Sequence, residues 1–302
     1  MRRLERHVPP FMQTLRSARA VAESDVVLAM FESEGHFLAI ARALRAWPFT
    51  RPRLVVISCW LAELLLERHS PRRIALLRRA YRHVDRLVFF SQNQAAIYEE
   101  VLGVPSDRLR FVPFGIDSRY FSPGPPEAVD DYVLAVGRDL GRDWCTLFKA
   151  VAGTSLPVKL ATRASALAGL TVPPNVEVLG QIDLRAYRDL TRRARLVAVP
   201  CVPRAYPTGQ TVLLESMAAA RCCVVTGTPA MDDYLEPGES ALTVPPCDPT
   251  ALRAALLEAA GSPELRARLG SRARQLVEER YNAPAMWGRV REILLELCRE
   301  PR

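Results

Sequence analysis

Ten short aliphatic runs, set along the chain with helical periodicity between them, constrain the fold more than any other feature. They are Asp25–Met30, Arg53–Ser58, Arg86–Phe90, Leu109–Val112, Tyr132–Val136, Val158–Thr162, Val176–Leu179, Leu196–Pro200, Cys222–Thr226 and Leu242–Val244. Continuously apolar runs suit strands covered on both faces, and the helical segments between them supply the crossovers that parallel strands require. The pattern predicts an α/β protein built on parallel sheets. Between Phe121 and Asp131 lies the densest cluster of chain breakers, Ser122-Pro123-Gly124-Pro125-Pro126, which reads as a linker joining two Rossmann-like halves. A chain of 302 residues is long enough for about two domains. The boundaries expected are 1–120, 121–281 and a final helix, 282–302, crossing back toward the first domain.

The first half is short. It offers about four strands, and residues 1–24 carry no strand-like run, whereas a doubly wound domain usually has about five or more. An incomplete amino-terminal sheet is therefore expected. The tail is signposted instead by Asp248-Pro249, Ser262-Pro263 and Asn282-Ala283-Pro284, each a capping side chain ahead of a proline suited to a first helical turn. Three helices are expected there, ending near Cys298.

Composition bounds the function. Hydrophobic residues make up 49% and charged residues 25%, as in soluble globular proteins. No apolar run approaches the ~20 residues that span a bilayer, and no signal-peptide core follows Met1-Arg2-Arg3, so a cytoplasmic protein is expected. Seven cysteines without a Cys-x-x-Cys pair argue against both a disulfide framework and a zinc site, and read as reduced, buried fillers. The net charge of +8 is almost wholly arginine. Part of it is concentrated in Arg68, Arg72, Arg73, Arg78, Arg79, Arg82 and Arg86, with Ile74, Leu76, Leu77 and Tyr81 between them. A solvated helix face accounts for this segment; peripheral footing on an anionic membrane is the alternative. Nucleic acid ranks below both, since no recognition motif accompanies the charge.

The stretch with the clearest chemistry is Pro207-Thr208-Gly209-Gln210-Thr211-Val212-Leu213-Leu214-Glu215, which reads as a glycine loop opening a helix. Gly209 permits close approach of a ligand, and the N–H groups of Gln210, Thr211 and Val212 suit an anion such as a pyrophosphate. Thr211 and Glu215 share a helix face, so the carboxylate can accept hydrogen bonds from a ribose. Taken alone, this window equally describes a buried crossover with a turn glycine.

Four further segments bring a family into view. Phe111-Val112-Pro113-Phe114-Gly115-Ile116-Asp117 resembles the domain-crossing motif of the GT-B glycosyltransferases of family GT4. Tyr132-Val133-Leu134-Ala135-Val136-Gly137-Arg138 resembles the first strand of that family's donor domain, Val178-Leu179-Gly180-Gln181-Ile182 its loop facing the nucleotide base, and Val244–Leu252 the segment closing the donor site. The resemblance implies two Rossmann-like domains facing across a cleft, the second holding a nucleoside diphosphate sugar and the first an acceptor. It implies a retaining, metal-independent transfer to a hydroxyl of a glycan or lipid-linked glycan, as in polysaccharide biosynthesis, with no cofactor beyond the donor itself. Arg138 and Arg142 would stabilise the leaving phosphate, Arg142 standing where the family commonly has lysine. Glu215 would position the ribose, with Gly137, Gly180, Gln181, Ile182, Tyr206, Thr208, Gly209, Gln210, Thr211 and Val212 lining the donor site. A surface salt bridge to Asp139 or Asp143 is the competing role for Arg138.

Two departures stand out. Pro207 occupies the position of the first glutamate of the family's pair, which faces the donor sugar in relatives; Tyr206, Thr208 or Gln210 would have to substitute. The family's first strand and glycine-rich acceptor loop are not found ahead of Asp25, which is expected of either an upstream start codon or a reduced protein. On the acceptor side the candidates are Glu34 and His36, following the first strand. A catalytically silent nucleotide-binding partner is the rival to an enzyme, and an epimerase of the same architecture is weaker.

Overall fold

A computed structural model describes residues 12, 15–67, 70–125 and 129–301. Arg68 and His69, from the arginine-rich segment, lie outside the described residues. All ten expected strands form: β1 Val26–Ala29, β2 Arg53–Ser58, β3 Arg86–Phe89, β4 Leu109–Phe111, β5 Val133–Val136, β6 Val158–Ala161, β7 Val176–Val178, β8 Leu196–Val199, β9 Cys223–Thr226 and β10 Leu242–Val244. They build two wholly parallel sheets, one of four strands ordered β1-β2-β3-β4 and one of six ordered β10-β9-β8-β5-β6-β7. The chain divides into two compact units, Met1–Val112 with Trp287–Arg302, and Pro113–Met286. The segment 121–125, read as the start of a linker, is fixed inside the second unit. There the Arg192 guanidinium donates to the Ser122 carbonyl at 2.7 Å and to its hydroxyl at 2.7 Å, while Phe121 is buried against Tyr187.

In the first unit, β2 and β3 are buried almost throughout; the helix Glu32–Ala43 packs on β1 and β2, and the helix Pro71–Tyr81 packs on that helix. Ser70 caps the second helix, with Pro71 at its first position. Its arginines face solvent, except that Arg78 reaches the carbonyls of Val101 and Glu100. Arg86 departs from the solvated face expected of that segment. As the first residue of β3 it is buried, and it is neutralised by Glu296 and Glu300 from the carboxy-terminal helix.

In the second unit, β5 and β8 lie side by side at the centre, with β6 and β7 to one flank and β9 and β10 to the other. One core cluster packs Leu134, Val197 and Val199 against the helix Gln210–Ala218, and a second packs Ala135, Leu160 and Ala198 against Trp144, Leu147 and Leu256 from the opposite face. The three carboxy-terminal helices run Pro249–Gly261, Pro263–Glu279 and Ala283–Arg299. Asp248 accepts from Thr250 and Ala251, Ser262 from Leu265 and Asn282 from Ala285, as the sequence signposts require. Both ends of this unit are stitched together, since Ile116 pairs with Asn282 and the Gly115 N–H reaches the Met286 sulfur at 3.3 Å.

All seven cysteines are free thiols. Three of them, Cys145, Cys247 and Cys298, are exposed rather than buried, because they fall on the outer turn of a helix or in a loop instead of on a strand. No described helix is long and apolar enough to cross a membrane.

Candidate functional site

In the second sheet the strand order reverses at β5 and β8, and ligands of open parallel sheets bind beyond the carboxyl ends of strands at such a point. The two loops that emerge there are zipped together. The Asp143 N–H donates to the Pro200 carbonyl at 3.1 Å, the Val202 N–H to the Gly141 carbonyl at 2.9 Å, and Arg142 bridges Cys201. Three glycines make this close approach possible. A Cβ on Gly137 would stand 2.3 Å from Arg142 Nε, one on Gly141 2.6 Å from Thr208, and one on Gly209 2.7 Å from Val199 Cγ1. Gly209 also holds a φ of 85°, a left-handed conformation that favours glycine.

Gly209 leads directly into the helix Gln210–Ala218, whose start receives no side-chain cap. Uncapped amide N–H groups at a helix start carry partial positive charge and suit an anion. Beside them lie buried polar atoms that find no hydrogen-bond partner: Thr208 Oγ1 and Gln210 Nε2, in residues only 4% and 8% exposed. Unsatisfied buried polar atoms are costly, and here they gather at one turn. The Pro207 carbonyl is not available to a ligand in the same way, because it accepts the Gln210 N–H at 3.1 Å within that turn. Tyr206 is half-buried and its carbonyl accepts the Thr208 N–H, while Thr211 is exposed and Val212 is buried.

Two arginines follow β5, in different settings. Arg138 is exposed, and both aspartates near it in sequence are otherwise engaged. Asp139 pairs with Arg142 Nε at 2.9 Å, and Asp143 caps the helix Trp144–Val151 by accepting from Thr146 at 2.9 Å. Among the described residues the Arg138 side chain has no ion-pair partner; only its carbonyl is used, by Arg163. Arg142, with 4% of its side chain exposed, is laid under Gly137 and against Gly209 and the Cys201 thiol. Burial opposes its charge, but Cys201 and Asp139 outweigh that and hold its pKa above the usual value.

Glu215 sits one turn into the helix and is 8% exposed. Burial pushes its carboxyl up to about 7, with the Tyr187 hydroxyl drawing it partly back. Tyr187, from the helix Leu184–Arg193, is itself raised well above the ordinary phenol range by burial and by Glu215. At the outer edge of the same sheet end, Gly180 turns the chain after β7 with a φ of 71°, leaving Gln181 exposed and Ile182 packed on the core. The structure thus brings Gly137, Arg138, Arg142, Thr208, Gly209, Gln210 and Glu215 to the end of one sheet. Sequence reading missed Asp139 and Cys201 as the neighbours of Arg142, and missed Tyr187, whose buried hydroxyl has no hydrogen-bond partner among the described residues, as the neighbour of Glu215. Nothing in the local sequence around Tyr187 marks it, because it comes from a separate helix.

The first unit carries its own polar cluster at the carboxyl ends of β1 and β2. Glu32, 7% exposed, accepts from the Leu61 N–H at 2.9 Å and from the Ser58 hydroxyl at 3.1 Å, and also holds the Cys59 and Trp60 N–H groups. Ser58 also meets the Tyr98 hydroxyl at 2.7 Å. His36, one turn along from Glu32, meets the Tyr81 hydroxyl through Nδ1 at 2.9 Å. Burial lowers its pKa, Glu32 opposes this and Arg73 adds to it. Glu34 accepts from the Ser33 hydroxyl at 2.6 Å. Phe31 and Trp60, 46% and 51% exposed, stack 6.4 Å apart beside this cluster.

Comparison with known proteins identifies the two halves of the chain and their fold. The family described as Glycosyltransferase Family 4 matches residues 1–120, and that described as Glycosyl transferases group 1 matches residues 127–261. A comparison with curated protein sequences gave no match. Among solved structures, sucrose-phosphate synthase from Thermosynechococcus elongatus is similar with a TM-score of 0.79 at 18% identity, over 95% of this chain and 77% of that one. HepE from Anabaena, solved with UDP and with UDP-glucose, is similar with a TM-score of 0.76 in its UDP complex at 15% identity, over 93% of this chain and 81% of that one. A glycosyltransferase from Rickettsia africae gives 0.72 at 14% identity, over 95% and 82%.

Proposed function

Since this chain belongs to the family 4, group 1 glycosyltransferases of GT-B fold, we propose that it is a retaining enzyme moving a sugar from a nucleoside diphosphate sugar to an acceptor hydroxyl. The observation that carries the donor assignment is the turn at Gly209. An uncapped helix start and two unpartnered buried polar atoms meet there, with the buried Arg142 guanidinium against Gly209, while the unpaired Arg138 follows β5 at the same end of the sheet. A diphosphate against the Thr211 and Val212 N–H groups places its negative charge on the positive end of the helix, with the Gln210 N–H kept by the Pro207 carbonyl, and Arg138 approaches it from β5. Glu215 accepts from the ribose hydroxyls, and Gly180–Ile182 faces the base. HepE was solved with UDP, so a uridine nucleotide is the first donor to test.

In the reaction the acceptor oxygen bonds to the anomeric carbon as the bond from that carbon to the β-phosphate oxygen breaks. The acceptor proton passes to the departing phosphate on the same face, which needs no protein nucleophile. The developing charge is held by Arg138 and the helix start. Arg142 reinforces that field from below, through its contact with Gly209. The exposed Arg138 and the positive end of the helix, with Arg142 behind them, supply the charge a metal would; we therefore propose metal-independent transfer.

For the acceptor we propose a glycan or lipid-linked glycan, met in the first unit by the exposed Phe31–Trp60 stack, Glu34 and His36. Peripheral contact with an anionic membrane on the cytoplasmic side follows from a lipid-linked acceptor. The test is calorimetry with UDP, GDP and their sugars, followed by release of the nucleotide in the presence of a sugar acceptor. Binding of no nucleotide would sink the reading.

A further inference from the structure

At the amino ends of the strands of the first unit lies a cavity of about 340 Å³ lined by Arg42, Arg45, Thr50 and His83. It sits away from the Glu32 cluster, because Arg42 bonds the Pro52 carbonyl just ahead of β2 and pairs with Asp85, just ahead of β3, at 3.2 Å. Asp85 is shared: it also pairs with Arg53 at 3.0 Å and accepts the Leu54 N–H. One carboxylate thus serves two guanidinium groups. Arg79 and Arg108 add to the field at His83, whose pKa is lowered by burial and then by Arg42, Arg79, Arg108 and Arg45. Among the described residues neither Arg45 nor Arg79 has a carboxylate partner, and Arg108 uses only the carbonyls of Arg82 and Val84. The cavity is thus cationic beyond what its own acid can balance.

Arg45 ends the helix Glu32–Ala43 with a φ of 56°, where glycine is the usual choice. The same turn projects two large apolar side chains into solvent, Leu44 at 73% and Trp47 at 79% exposed. Tryptophan and leucine beside unpaired arginines are the chemistry of a bilayer interface, with rings at headgroup depth and cations against lipid phosphate. A soluble anion would use the arginines but leave Leu44 and Trp47 without a purpose.

We propose that this cavity receives the phosphate of an anionic phospholipid headgroup, with Leu44 and Trp47 entering the interface, so that the first unit docks on an anionic bilayer through the turn 44–50. The proposal rests on the membrane contact suggested above and centres it on the turn 44–50, with Arg79 the one arginine of the helix Pro71–Tyr81 that shares the site.

The test is co-sedimentation of the full chain with vesicles of phosphatidylcholine alone and of phosphatidylcholine mixed with phosphatidylglycerol. Wild-type protein binds the mixed vesicles only. Arg45→Asn, which tolerates the left-handed conformation, lowers partitioning about fivefold, Trp47→Ser lowers it comparably, and Arg72→Gln on the neighbouring helix lowers it less than either. Circular dichroism and UDP binding confirm that each variant is folded. If wild type binds and both variants bind equally well, the site is wrong while the membrane contact stands. If wild type binds neither vesicle, both fall. If inorganic phosphate raises the melting temperature of wild type but not of Arg45→Asn, with no vesicle binding, the cavity is a soluble-anion site and the lipid assignment is overturned.

Discussion

At the scale of single residues, pairing separates the arginine free to touch a phosphate from the one held beneath it. Arg138 is exposed because Asp139 and Asp143 are committed elsewhere, so its guanidinium is available to a phosphate. Arg138→Ala should lower kcat/KM about a hundredfold or more with little change in melting temperature, measured with the confirmed donor. Glu215 makes a pH prediction. Its folded pKa of about 7 lies above the usual carboxylate value of 4.5, so the native state holds the proton more tightly than the unfolded chain. The stability this contributes is fully present below pH ~4.5 and is lost as pH rises through ~7, a change on the order of 3 kcal/mol. Glu215→Gln should flatten the fall in melting temperature between about pH 5 and 7.5. Ribose hydroxyls bond best to the ionised carboxylate, so wild-type nucleotide affinity should rise across that range while that of Glu215→Gln stays level. A wild-type affinity independent of pH would count against the ribose contact.

At the scale of elements, the strands and caps were legible and the contacts between loops were not. The central strands β2, β3, β5, β8 and β9 were readable as runs of largely buried residues, the outer strands β4, β7 and β10 as short apolar runs broken by one polar residue, and the tail helices because Asp248, Ser262 and Asn282 are local signals that act within a few residues. Gly209 was visible as a turn glycine. What the sequence does not carry is its surroundings: Val199, Cys201 and Arg142 arrive from separate elements and leave no room for a Cβ. Gly209→Ala should therefore cost about 1–3 kcal/mol, combining left-handed strain with overlap, and weaken nucleotide binding as the helix start shifts. Thermal unfolding and UDP calorimetry read the two effects separately. The Arg142–Asp139 pair was half legible: the arginine by its position in a motif, its burial and partner only from the fold.

At the scale of the whole molecule, the resemblance proved a sound guide to family because motifs weak alone recur in order along both halves of the chain. The first unit is the less readable part. Its polar cluster is assembled from Glu32, Ser58, Tyr81 and Tyr98, none of which stands in a motif. Nucleotide binding to the second unit should be visible globally: UDP at about a hundred times its Kd should stabilise the native state by ~2.7 kcal/mol and raise the melting temperature. A second, unshifted transition in calorimetry would show that the two units unfold independently.

The second unit begins and ends at one place, with Ile116 paired to Asn282 and Gly115 held by Met286. A block of chain whose entrance and exit adjoin can be removed, replaced or exchanged without any gap to span. Recombination at that junction would join the first unit to a different second unit in a single event. The same junction is the natural cut for building chimeras.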